Sequence, residues 1–154
     1  MKIKTLKLKD LRWLVEQNEL CFDGHGLTVQ TLINYLAKPE VKAYKICDKE
    51  GNPRAVRIGW IKPNPENKKE LAISGITLLT QKEYQGKGYA KKLLKYFFKV
   101  ARKNKINVLR SRIETTNAPC IKVHEQLGYE LYETALDWYG KGRNCLIYVK
   151  NLKQ

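Results

Sequence analysis

The chain has 154 residues, 43% of them hydrophobic and 29% charged. That is the composition of a globular protein with its own core, and the length of one domain. No run approaches eighteen consecutive apolar residues, which excludes a membrane-spanning helix, and a formal net charge of +15 leaves anionic partners open.

The lysines behind that charge are spread along the chain, not gathered into a tail, so the charge reads as compositional and nucleic acid is disfavoured as the main ligand. Met1 to Leu8 lacks the apolar core and cleavage site of a signal peptide. Cys21, Cys47, Cys120 and Cys145 are far apart and lack paired metal spacing, and His25 and His124 are the only histidines. We therefore expect no metal site and buried free thiols in a cytoplasmic protein.

In chain order, residues 2–8 alternate weakly as a first strand. Asp10 caps a helix to about Phe22, with Leu11, Leu14 and Val15 on one face, and Asp23-Gly24-His25-Gly26 breaks it. Thr28 starts a second helix that carries Val29, Leu32, Ile33 and Leu36 inward and ends before Pro39. Val41 to Cys47 alternates as a strand, residues 48–53 form a turn, and Ala55 to Ile61 is the hairpin partner. Lys62 to Lys69 is expected as a polar loop. Leu71 to Thr80 is rich in the apolar and β-branched residues of a buried strand.

Next comes Gln85-Gly86-Lys87-Gly88-Tyr89-Ala90, and then a basic amphipathic helix to about Asn104 with Ala90, Leu93, Leu94, Phe97 and Ala101 at helical spacing. A strand, a glycine-bearing turn and a helix in this order present backbone N–H groups at a positive helix end, which is a site for phosphate. A P-loop would need Lys-Ser/Thr where Ala90-Lys91-Lys92 stands. A dinucleotide fingerprint would need a small residue at Lys91. Ile106 to Glu114 follows as a strand. Asn117 to Gly128 is a short helix with Asn117 as N-cap, Pro119 in the first turn and Gly128 past its end. Glu130 to about Ala135 and Cys145 to about Leu152 make a last hairpin around residues 136–143.

Gln85 to Ala90 fits Gln/Arg-x-x-Gly-x-Gly/Ala. Asn117, Cys120, Gly128 and Tyr129 fit Asn-x-x-small-x-x-x-Tyr-x-x-x-Gly-aromatic, with His124 where Tyr is usual. The two motifs in this order resemble the GNAT acetyltransferase superfamily, and the ends resemble, more weakly, ribosomal-protein N-terminal acetyltransferases. The resemblance implies one α/β domain over residues 1–154, with a mixed central sheet of about seven strands flanked by about four helices. It also implies an acetyl-CoA-dependent N-acetyltransferase acting on a primary amine, either a peptide N-terminus or a small molecule. A non-catalytic basic binding module on the same fold is the alternative. The expected state is a monomer or homodimer without membrane association.

By that resemblance, acetyl-CoA runs along the backbone of Leu78, Leu79 and Thr80. Its pyrophosphate meets the amides of Gln85, Gly86, Lys87, Gly88, Tyr89 and Ala90, and Asn117 holds the arm from the other side. His124 takes the place of the family's acid, with a reference pKa of about 6.5, and Tyr139 is the donor to consider if His124 is a core residue. The base positions of relatives fall on Arg112 and Ser74, neither a carboxylate. Glu114, on the same strand face as Arg112, is the candidate base, beside deprotonation through water or without assistance. The acceptor is not legible; loops 22–28 and 136–143 are expected to flank it.

Overall fold

A computed structural model describes residues 2–22 and 27–153. The predicted break at Asp23-Gly24-His25-Gly26, and with it most of loop 22–28, lies outside them. Seven strands form one sheet in the order β1-β2-β3-β4-β5-β7-β6. They are β1 (Lys2–Thr5), β2 (Val41–Cys47), β3 (Pro53–Asn64), β4 (Asn67–Thr80), β5 (Val108–Glu114), β6 (Glu130–Ala135) and β7 (Cys145–Asn151). The helices are α1 (Leu11–Phe22), α2 (Val29–Leu36), α3 (Tyr89–Lys103) and α4 (Ala118–Gln126). This is the mixed α/β fold that the two motifs imply. Among the described residues no helix is long and apolar enough to cross a membrane.

Contacts group the chain into two compact units, residues 1–59 with 77–94, and residues 60–76 with 95–154. In the first, β1 pairs antiparallel with β2, and Ile46, Ala55 and Leu93 form a buried cluster against which Ile3, Tyr44, Leu78 and Tyr89 pack. The expected first strand stops early. The Asp10 carboxylate accepts the Lys7 N–H at 2.7 Å and the buried Lys45 ammonium at 2.6 Å, turning residues 8–10 into a short 3-10 helix ahead of α1. An unpaired Lys45 would be costly there, so this ion pair fixes where the chain turns. Thr28 caps α2 by accepting the Thr31 N–H. Of the expected inward face of α2 only Leu32 is buried; Val29 and Ile33 are exposed, because an eight-residue helix turns just one narrow stripe to the core.

In the second unit, the tip of β3 and the start of β4 replace the expected polar loop at Lys62–Lys69. The strands continue to Asn64 and resume at Asn67. Asn64 Nδ2 donates to Glu70 Oε1 at 2.9 Å, and its own Oδ1 accepts the Glu66 N–H at 3.3 Å, so polar side chains close the turn. Pro63 is tolerated because β3, twelve residues long, outruns the seven of β2 and its tip is a local edge. β4 runs parallel to β5, with Ala72, Ile73 and Ser74 opposite Val108, Leu109 and Arg110. β7 pairs antiparallel with both β5 and β6. Phe97 and Ala101 of α3 are buried, as are Ile113, Tyr129 and Tyr148. Burying a ring such as Phe97 is worth about 1.5–3 kcal/mol, which is what holds so lysine-rich a helix on the sheet.

Candidate active site

In the first unit, β4 ends at Thr80 and a 3-10 turn at Lys82–Tyr84 leads into the glycine loop. Gln85 Nε2 donates to the Thr80 carbonyl at 3.0 Å and pins the start of that loop. Gly86 and Gly88 hold φ of 77° and 84°, which glycine adopts without strain, and a Cβ at either would meet nothing within 4 Å. The loop is thus an open cradle. The Lys92 N–H, bonded to the Gly88 carbonyl at 3.0 Å, starts the α3 ladder, so the positive end of the helix is at the cradle.

Tyr84 and Tyr89 stack across the cradle with ring centroids 6.3 Å apart. Arg54 lies 4.8 Å and Lys87 5.2 Å from the Tyr84 centroid, which gathers positive charge at the loop. Gln81 Oε1 accepts from Arg54 at 2.9 Å and from Trp13 at 3.3 Å. At the end of β4, Leu79 is buried and Leu78 packs against the core cluster. An open glycine cradle, a positive helix end and flanking cations fit a pyrophosphate. Tyr84, Arg54 and Gln81 were missed in the sequence. Only the pair of tyrosines bracketing the glycines hinted at Tyr84.

In the second unit, Asn117 caps α4 by accepting the Cys120 N–H at 3.3 Å, as expected. His124, one α4 turn further, has no exposed surface. Its Nδ1 lies 2.8 Å from the Cys120 carbonyl, which only accepts, so Nδ1 carries a proton. In the neutral ring Nε2 is then an acceptor, and Ser111 Oγ donates to it at 2.9 Å. Tyr129 meets the ring edge-on at 4.7 Å. The ring expected to point at a thioester sulfur is therefore enclosed among β5, α4 and the start of β6.

Glu114 is held bidentately by Arg143, from Nε at 2.8 Å and Nη2 at 2.7 Å. That clamp ties the 136–143 loop to β5. Within the loop the Tyr139 N–H donates to the Arg143 carbonyl at 3.1 Å, and the Gly142 N–H to Asp137 Oδ1 at 2.7 Å. Tyr139 is partly buried; burial first, then the neighbouring Cys145 thiol and Glu114, push its phenol well above the ordinary range. It stays protonated at any working pH, which suits a proton donor and not a base. Burial likewise raises the Cys145 thiol. Arg112 lies 5.0 Å from the centroid of Trp138, whose side chain is half exposed. Glu114, Tyr139 and Arg112 are thus brought together, while His124 is engaged on its own buried contacts.

The sequence pattern of the acetyltransferase (GNAT) family matches residues 11–129, and the chain belongs to that family. It is by that membership an acetyltransferase, with acetyl-CoA as the acetyl donor. Among solved structures, it is similar to Arabidopsis thaliana NAA60 in complex with a bisubstrate analogue, at 13% identity and a TM-score of 0.87, covering 97% of each chain. It is also similar to the ribosomal-protein-alanine N-acetyltransferase of Brucella melitensis, at 19% identity and a TM-score of 0.78, covering 99% of this chain and 100% of that one. A spermidine N-acetyltransferase SpeG chimera of Vibrio cholerae matches at 12% identity and a TM-score of 0.79, over 99% and 97%. At these identities the likeness speaks to the fold. A search of curated proteins by sequence finds no significant match.

Proposed function

We propose that residues 1–154 form one N-acetyltransferase domain acting on a primary amine, the reading carried by the open cradle at Gly86 and Gly88 in a chain of this family. Acetyl-CoA, when bound, supplies the activated thioester. Gln85, Gly86, Lys87, Gly88, Tyr89 and Ala90 hold its pyrophosphate, and the backbone of Leu78, Leu79 and Thr80 pairs with the pantetheine arm. Asn117, whose carboxamide oxygen caps α4, leaves its NH2 to a ligand.

Tyr139 is the proton donor in this reading, supported by its partial burial and by a phenol that carries its proton at working pH. Glu114 positions it: the carboxylate is committed to Arg143, and through that clamp it sets the loop that carries Tyr139. A carboxylate so paired is a poor base. His124 supports the α4–β5 packing through Ser111. The four cysteines are free, which fits a reducing, cytoplasmic setting.

Calorimetry with acetyl-CoA, followed by thiol release across a panel of peptides and small amines, tests the reading. Binding in the micromolar range with turnover on some amines is expected. A folded protein that fails to bind at hundred-micromolar levels is not an acetyltransferase of this design, and salt-sensitive nucleic-acid binding without thiol release would establish the non-catalytic module instead.

A further inference from the structure

Three cations stand together on the second unit. β5 alternates, so Arg110, Arg112 and Glu114 leave one face of the sheet, and Ser74, opposite Arg110 on β4, shares that face. Lys62, on the β3 tip, is close enough to Arg112 and Arg110 for their charges, after burial, to push its ammonium pKa down. Arg110 is 6% exposed and reaches Glu66 Oε1 from Nη2 at 2.6 Å. Glu114 is neutralised by Arg143.

The remaining partners of Lys62 and Arg112 are rings: Trp60 lies 5.0 Å from the Lys62 Nζ, and Trp138 5.0 Å from the Arg112 guanidinium. Neither cation forms an ion pair among the described residues. On that same sheet face two buried atoms, Ser74 Oγ and Arg110 Nε, have no hydrogen-bond partner. Buried donors are almost always satisfied, and an orphaned pair beside uncompensated cations calls for an oxygen-rich anion. Two flanking indoles add a low-dielectric wall that strengthens attraction to it.

We propose that this cluster is the specificity pocket for the acceptor, and that the acceptor amine carries a carboxylate which Lys62 and Arg112 bind over Ser74 and Arg110. The proposal rests on the acetyltransferase reading and names its substrate class. Arg112 also touches Trp138 and so shares the 136–143 loop with Tyr139. A carboxylate anchored there holds its own amine on the sheet face that this loop covers. Planar guanidinium groups suit a carboxylate better than a spherical anion.

Two measurements decide it. Calorimetric titration with succinate needs no turnover. Millimolar binding is expected in the parent chain, with at least a tenfold loss in the double variant Lys62→Gln, Arg112→Gln, whose folding is checked by its melting curve. Thiol release is then compared for matched amines: 4-aminobutyrate against n-butylamine, and hexapeptides differing only in Glu or Gln at the second position. A preference of at least tenfold in kcat/KM for the carboxylate-bearing member is expected in one pair. That pair tells whether the carboxylate belongs to a small amino acid or to an acidic peptide, and the preference should shrink toward unity in the double variant. Succinate binding that survives both substitutions, or ratios near one in both pairs, overturns the proposal. Loss of acetyl-CoA binding and of all thiol release would instead sink the acetyltransferase reading.

Discussion

His124 and Ser111 lie 2.9 Å apart, the imidazole Nε2 of α4 accepting the hydroxyl of β5, while the opposite ring nitrogen donates to the Cys120 carbonyl. With both nitrogens engaged and no exposed surface, the ring joins helix to strand. His124→Phe should therefore lower stability by about 1–3 kcal/mol, the cost of buried polar groups losing a partner. Turnover per folded molecule should stay within about threefold, a loss far below that of a missing general acid. Thermal melts and active-site titration check this, and a hundredfold loss of turnover at parental stability would return the donor role to His124.

Tyr139→Phe should cut turnover by about a hundredfold while leaving the acetyl-CoA dissociation constant intact, as expected for loss of a general acid. The raised phenol pKa has a second consequence. Above the ordinary tyrosine value of about 10, the unfolded chain releases this proton while the folded chain keeps it, so stability must fall as pH rises there. Urea melts at pH 9 and at pH 11 should show a smaller loss in Tyr139→Phe than in the parent chain. Equal losses would show that the phenol is no more shielded than in the unfolded chain.

Glu114→Gln separates a positioning carboxylate from a base. The pair with Arg143 is about a quarter to a third exposed, with side-chain accessibilities of 24% and 35%, so its contribution to stability is about 1 kcal/mol or less. Turnover should fall by less than tenfold, with the acid limb of the kcat/KM profile unchanged. Disappearance of that limb, with a loss of a hundredfold or more, would make Glu114 the base.

At Gly88 the constraint is φ of 84° and not a clash, since a Cβ would meet open space. Gly88→Ala should cost about 1–2 kcal/mol, the penalty for an L-residue in the left-handed region, and lower the melting temperature by about 2–4 °C per kcal/mol for a chain of this length. Gly88→Val adds a branched side chain at the mouth of the cradle and should raise the acetyl-CoA dissociation constant at least tenfold, or about 1.4 kcal/mol. An unchanged constant in the folded valine variant would move the pyrophosphate elsewhere.

Local chemistry made most of the elements legible. The Thr28 and Asn117 caps, the left-handed Gly86, Gly88 and Gly128, and the helical apolar stripe of α3 depend on neighbours within one or two turns, and those lie side by side in the sequence. The same locality makes the two family motifs readable, because a glycine loop and a helix cap are built from consecutive residues. The β3–β4 hairpin tip was misread because Pro63 and Pro65 suggest a loop. Whether a proline can sit in a strand depends on which neighbouring strand needs its N–H, and only the lengths of β2 and β3 decide that.

The side-chain roles lay beyond the sequence for a related reason. Whether His124 is a proton donor or a core residue turns on Ser111, thirteen positions away, and whether Glu114 is free turns on Arg143, twenty-nine away. Ser74 and Arg110 become neighbours only when parallel strands fall into register. Burial and pairing of polar groups are set by residues far apart in the chain. The sequence therefore determined the fold and the glycine loop, and the tertiary structure decided that the polar groups of His124 and Glu114 are engaged and that Ser74 Oγ and Arg110 Nε are not.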